Sequence, residues 1–371
     1  MPFLKNCLFA AIIIGLVYIL LNNLSPDDII RLGFSDNSNS YLILKIFRIA
    51  VLLCILLLLL LPFSWLIRKT KKNFLLALFS LILIGVLAEV RFTFFAHSFG
   101  HGQSFASVQW FIKYWKPINE LGYRDLEINQ AQDSNNDLVI IGDSFIAGHG
   151  INYPKQRFSD ILRSKKTGLS VYNAGLGGTN TIDELHAIKA FPIKPEFIIC
   201  SYYENDSEYL FDELNLEEIL PHNKLISPIK FLVQESYLFN YTYWEVFATK
   251  AIIKNLEKAN IDFYQPYRDT LLFNKHCEDL SEIFDYCKSI NAKLYFLVFP
   301  SMDSNMEYSV PLVVDPIIKY LESNEIETIN VYELVKHLPL RKRIVNLNDE
   351  HPSVLVNKII AEEFLKEKYF K

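Results

Sequence analysis

The chain has 371 residues, 51% of them hydrophobic and 21% charged, with 37 basic against 42 acidic side chains and a net charge of -5. That balance is too apolar for an ordinary soluble protein and excludes a disordered one. The charge is unevenly spread: residues 1–98 carry nine basic and four acidic groups, residues 99–371 carry 28 and 38. A small basic, apolar part therefore precedes a large acidic one, and an acidic body is a poor partner for phosphate backbones, so nucleic acid is not expected.

The first 98 residues read as a membrane anchor of three helices, at about 5–24, 47–67 and 74–96. The first apolar run, Cys7 to Leu21, follows Lys5 and is not followed by a small-residue cleavage site, so a retained helix is expected rather than a cleaved signal. The second, Ile49 to Ile67, and the third, Phe74 to Val90, are long enough for the hydrocarbon core at helical rise. Arg68, Lys69, Lys71 and Lys72 between them are expected on the cytoplasmic side, and the acidic 27–36 loop outside. The N-terminus is then cytoplasmic, and the domain after the third span is extracytoplasmic. Glu89 and Arg91 are expected as interfacial anchors at the outer end of that span.

Residues 99–136 read as a membrane-proximal connector, whose Trp110, Phe111, Tyr114 and Trp115 suit a membrane surface. From 137 the pattern alternates. Strands are expected at Asp137 to Ile141, Leu169 to Tyr172, Phe197 to Ser201, Lys293 to Phe299 and Thr328 to Val331. Helices are expected at Lys155 to Arg163, Thr179 to Phe191, Thr270 to Ser289, Pro311 to Glu322 and Pro352 to Lys366. Short apolar strands alternating with helices imply a parallel sheet covered on both faces, an α/β three-layer domain over 137–371. Residues 207–268 break the alternation as an aromatic-rich insertion, a lid or a membrane-facing patch. The five cysteines form no disulfide framework: Cys277 and Cys287 sit ten apart on one helix, Cys200 in a buried strand, Cys7 and Cys54 in spans. No Cys/His cluster has zinc spacing, and no cofactor is expected.

In such a sheet the ligand site lies at the carboxyl ends of the strands. Strand one ends in Gly142-Asp143-Ser144, where a serine at a helix start can present its own N–H to an oxyanion. Asp143 is expected to hydrogen-bond within that turn. Strand two ends in Asn173-Ala174-Gly175-Leu176-Gly177-Gly178-Thr179, a glycine-dense loop that lacks the phosphate-loop ending and the dinucleotide spacing. Strand three ends in Tyr203-Glu204-Asn205-Asp206, offering a side-chain amide. Before the last helix comes Asn348-Asp349-Glu350-His351-Pro352, a loop in which a carboxylate can fix the imidazole. His149 could be mistaken for the base and is expected at the pocket rim or surface.

These four stretches resemble the blocks of the SGNH hydrolases, the GDSL lipase/esterase family, over most of residues 119–371. The resemblance implies a flavodoxin-like fold with Ser144 as nucleophile, His351 as base and Asp349 as acid, Glu350 being the fallback. It also implies an oxyanion hole of Ser144, Gly178 and Asn205, with Gly175 and Gly177 as rivals of Gly178. Asn119-Glu120-Leu121-Gly122-Tyr123-Arg124-Asp125 is similar to the lead-in of membrane-anchored bacterial members. Two departures stand out. Tyr203 occupies a position where the family has glycine, which narrows the pocket, and Asp-x-His replaces the common Asp-x-x-His. What the resemblance implies is acyl transfer from an ester on a cell-surface glycan or lipid. An O-acyltransferase using the same triad and a non-catalytic tethered binding module are the alternatives. The bilayer and the acylated substrate are the expected partners.

Overall fold

A computed structural model describes residues 72–100, 104–128, 136–210, 226–248 and 264–370. The two spans expected before residue 68, with Cys7 and Cys54, lie outside the described residues. The chain divides into two compact units: 1–97, 103–112 and 225–247 in one, 98–102, 113–224 and 248–371 in the other.

The larger unit is built on a five-stranded parallel sheet: β1 Asp137–Gly142, β2 Ser170–Gly175, β3 Phe197–Tyr202, β4 Lys293–Val298 and β5 Glu327–Asn330, in the order β2-β1-β3-β4-β5. This is the doubly wound, flavodoxin-like arrangement. Alternation along the strands explains the layers. In β1, Leu138 and Ile140 join one core, with Phe158 and Leu162 of α4 (Phe158–Lys165) and Val356 and Ile360 of α10 (Val354–Phe364). In β3, Ile198, Cys200 and Tyr202 face the opposite core. There they meet Leu185 of α5 (Thr181–Ala190), Leu280 and Ile283 of α8 (Thr270–Ser289), and Ile317 and Leu321 of α9 (Asp315–Ser323). Both faces are buried, so the strands are apolar throughout, as a parallel sheet requires. Each fully buried Leu, Ile or Phe contributes roughly 1.5–3 kcal/mol.

The register sets the site. Gly142 lies level with Gly175, Ile141 with Cys200, and Tyr202 with Val298. The segments leaving β1, β2 and β3 therefore emerge along one edge. Two expected elements differ. The helix read from Pro311 starts as a π-helical turn at Val310–Val314 and becomes regular only at Asp315. The loop read at Asn348 to His351 belongs to a small antiparallel hairpin, β6 Ile344–Asn346 and β7 Asp349–Pro352.

In the smaller unit, α1 spans Lys72–Thr93, α2 begins at Phe105, and α6 (Ser227–Glu235) and α7 (Tyr237–Thr242) come from the insertion. Glu89, expected as an interfacial anchor, meets residues of the insertion. Its carboxylate accepts the Ser236 hydroxyl at 2.6 Å and the Tyr237 and Leu238 N–H groups at 2.7 and 3.1 Å, covering the exposed donors that begin α7. Phe92 packs on Tyr241 with ring centroids 4.8 Å apart, and Glu245 takes His97 at 3.1 Å and the Ser104 hydroxyl at 2.9 Å. Trp110, expected along the membrane surface, is 2% exposed. Among the described residues no helix is long and apolar enough to cross a membrane; the side chains of 72–75 and 78 in α1 fall outside that set.

Candidate active site

Ser144 opens α3 (Ser144–Ala147), one turn directly after β1. Asp143 caps that turn, its carboxylate accepting the Phe145 N–H at 2.8 Å, as expected of a structural hydrogen-bonder. Gly142 must be glycine: a Cβ there would lie 1.9 Å from the Ser201 hydroxyl on β3.

His351 comes from β7, far along the chain. Its Nε2 lies 2.8 Å from Ser144 Oγ, and its Nδ1 lies 2.5 Å from Asp349 Oδ1. The hairpin sets this spacing. In an extended strand residues i and i+2 share a face, so Asp349 and His351 project together. Asp349 is fully buried. Burial alone would raise its carboxyl. The His351 ring, acting through charge and hydrogen bond, outweighs that, and the carboxyl is held well below the usual range. Glu350, the fallback acid, has no such contact, and burial raises its carboxyl.

The three glycines of the second loop separate. Gly175 is a packing position, where a Cβ would lie 2.3 Å from the Ala147 nitrogen. Gly177 passes beside the serine, a Cβ there lying 3.8 Å from Ser144 Cβ. Gly178 has φ of +79°, a backbone that L side chains rarely adopt, with open space around it. Asn205 follows β3 and lies beside the buried Asp143 carboxylate. Tyr203 packs on Phe145 with ring centroids 4.2 Å apart, and Phe145 in turn meets the His351 ring at 5.3 Å. Tyr203 thus fills space beside the triad, as its bulk implies.

Three residues lie closer to the triad than the sequence reading placed them. His149 is not at the surface; it is 8% exposed and stacks on His351, ring centroids 4.2 Å apart and planes 8° apart. Its Nε2 lies 3.7 Å from Asp349 Oδ2. Arg124, 1% exposed, donates to the carbonyls of Gly148 at 2.6 Å, Ile151 at 2.7 Å and Tyr114 at 2.7 Å, and thereby holds the loop that carries His149. Ser98 lies beside Asp349 and accepts the Asn346 side-chain N–H at its carbonyl and hydroxyl, at 3.1 and 3.2 Å. The lead-in around Arg124 stood out in the sequence without a role, and the Gly148-His149-Gly150 run was the available signal for the stacked histidine.

Ligand atoms of His149, Asp349 and His351 lie within 4.8 Å of one another. The two rings are parallel, so their in-plane lone pairs run side by side instead of converging, which makes a poor tetrahedral metal cage. The arrangement can instead relay a proton between a hydroxyl and an imidazole held by a carboxylate.

No family model and no curated protein matches the chain. Among solved structures it is similar to a lipolytic protein of the G-D-S-L family from Veillonella parvula, at 14% identity and a TM-score of 0.36, over 62% of this chain and 96% of that one. It is also similar to a catalytic mutant of an acetylxylan esterase from Geobacillus stearothermophilus, at 14% and 0.39, over 64% and 96%. A psychrotrophic esterase from Pseudoalteromonas sp. aligns at 12% and 0.37, over 62% and 94%.

Proposed function

We propose that the chain is a membrane-anchored, extracytoplasmic serine esterase of the SGNH/GDSL type, a carboxylic ester hydrolase acting on acylated glycan or lipid. The observation that carries the reading is the continuous chain Ser144 Oγ to His351 Nε2 at 2.8 Å and His351 Nδ1 to Asp349 Oδ1 at 2.5 Å. His351 Nε2 takes the Ser144 proton as Oγ attacks the ester carbonyl, and Asp349 holds the imidazole in the tautomer that accepts it. The carbonyl oxygen, now an anion, is received by the Ser144 and Gly178 N–H groups and the Asn205 amide. Loss of one such donor costs about 3–4 kcal/mol of barrier. The imidazolium returns its proton to the departing alcohol oxygen, leaving an acyl-Ser144 ester. Water, deprotonated by His351, then cleaves that ester and releases the carboxylic acid.

Membrane attachment is supported by the apolar runs of residues 1–98 and by the exposed Leu76, Leu81, Ile84 and Leu87 of α1, a surface disfavoured in water. A fluorophosphonate probe tests the reaction on the full-length chain. Labelling at Ser144, lost in Ser144→Ala, supports a serine hydrolase; an unreactive wild type leaves a tethered binding module. The second reading, an O-acyltransferase, differs only in the acceptor that resolves acyl-Ser144. Free acetate without added glycan favours hydrolysis, and acetyl appearing on a glycan hydroxyl favours transfer.

A further inference from the structure

His149 has no role in the steps above, yet its loop is built to press it against the triad. Gly148 and Gly150 flank it with φ of +74° and +77°. A Cβ on Gly150 would lie 2.8 Å from Asp349 Oδ2, so the backbone itself closes over the carboxylate. Arg124 fixes the carbonyls on both sides of the histidine. The ring also hydrogen-bonds the Phe99 backbone, next to Ser98, which lies beside Asp349. The 98–100 segment is itself pinned to the hairpin: the Asn346 side chain donates to the Ser98 carbonyl at 3.1 Å, and the Gly100 N–H donates to the Asn348 carbonyl at 2.9 Å.

We propose that His149 is a positioning residue: stacked face to face on His351 and closed over Asp349, it keeps water from the acid–base pair and holds the imidazole in line with Ser144. The proposal rests on the serine-hydrolase reading. Its chemistry follows from burial. Burial, followed by the neighbouring His351 charge, lowers His149 to about 3, so the ring is neutral at working pH. A neutral π-face is a favourable neighbour for an imidazolium, where a second cation would oppose it. Asp349 is fully buried while the His351 side chain is 11% exposed. Opening the site therefore mainly screens the carboxylate and weakens its hold on the imidazolium formed during the reaction. The other charged groups facing this pair are Arg124 beside His149 and Asp143 and Glu350 beside His351.

The test uses the full-length chain in detergent or bilayer, with p-nitrophenyl acetate hydrolysis and the fluorophosphonate labelling rate followed from about pH 5 to 9. His149→Ala is expected to lower kcat/KM about 10²-fold, the scale of a misplaced catalytic group, and to move the acid limb of the profile to lower pH. His149→Phe, which keeps a stacked ring, restores most of the rate and the wild-type limb. Should His149→Ala fail to fold, His149→Gln carries the same expectation. Folded Ala or Gln variants with a wild-type rate and limb would overturn the proposal and leave the hydrolase reading intact. So would a lost rate with an unmoved limb that His149→Phe does not rescue. A wild-type chain that never labels at Ser144 removes both.

Discussion

Ser144 and His351 stand 207 positions apart in the chain and 2.8 Å apart at the site. Both were readable from sequence because each sits beside a strong local signal: an apolar strand before Gly142, and a helix start after Pro352. Asp349 was readable by spacing. The stacking of His149 was not, because a lone histidine between glycines carries no periodicity, and only the packed loop shows that its ring lies on His351. Asp349→Asn tests the acid. The amide keeps the shape but can stabilise the wrong imidazole tautomer, so kcat should fall by about 10⁴ with little change in KM. A loss under tenfold would shift the acid's role elsewhere.

Among elements, the parallel strands and α8 were legible because both faces, or one stripe, are apolar. The β6–β7 hairpin was not. Its strands are three and four residues long, and Asn348-Asp349-Glu350-His351 has no apolar alternation to announce it. It folds because β6 buries Ile344 in the core and turns back at Asn346. The lead-in's purpose was equally hidden. Asp125 takes Arg163 with both oxygens at 2.7 Å and the Asn173 N–H at 2.7 Å, while Arg124 binds the 148–151 loop. Arg124→Lys loses the planar fork and strands buried carbonyls, so about 3 kcal/mol of stability should go, read as a lower denaturation midpoint. Gly175→Ala forces a Cβ against the α3 backbone and should cost a similar amount, about 3 kcal/mol. Wild-type melting of either variant would contradict these packing assignments.

At the scale of the molecule, two properties follow. Stability should depend on Glu204, whose carboxyl is raised to about 7 by burial despite hydrogen bonds from the Tyr264 and Tyr203 hydroxyls. The folded chain holds this proton more tightly than the unfolded chain does. Its contribution is therefore complete below the ordinary carboxyl range, near pH 4.3, and is lost as pH rises towards 7. Glu204→Gln should flatten the stability profile across that window, measured by denaturation at several pH values; an unchanged slope would remove Glu204 as the cause. The proposed topology rests on charge. An impermeant maleimide should label Asp285→Cys on intact cells and Lys69→Cys only after permeabilisation, and the reverse pattern would invert the proposed orientation.

The central claim is that one hydroxyl, one imidazole and a set of N–H donors act on the same acyl carbon. A structure of the full-length chain reacted with a phosphonate ester tests it most directly. Phosphorus bonded to Ser144 Oγ is expected, with its oxygen within hydrogen-bond reach of the Ser144 and Gly178 N–H groups and the Asn205 amide, and His351 Nε2 facing the bond just made. An adduct on another residue, or a phosphonyl oxygen turned away from all three donors, would contradict it.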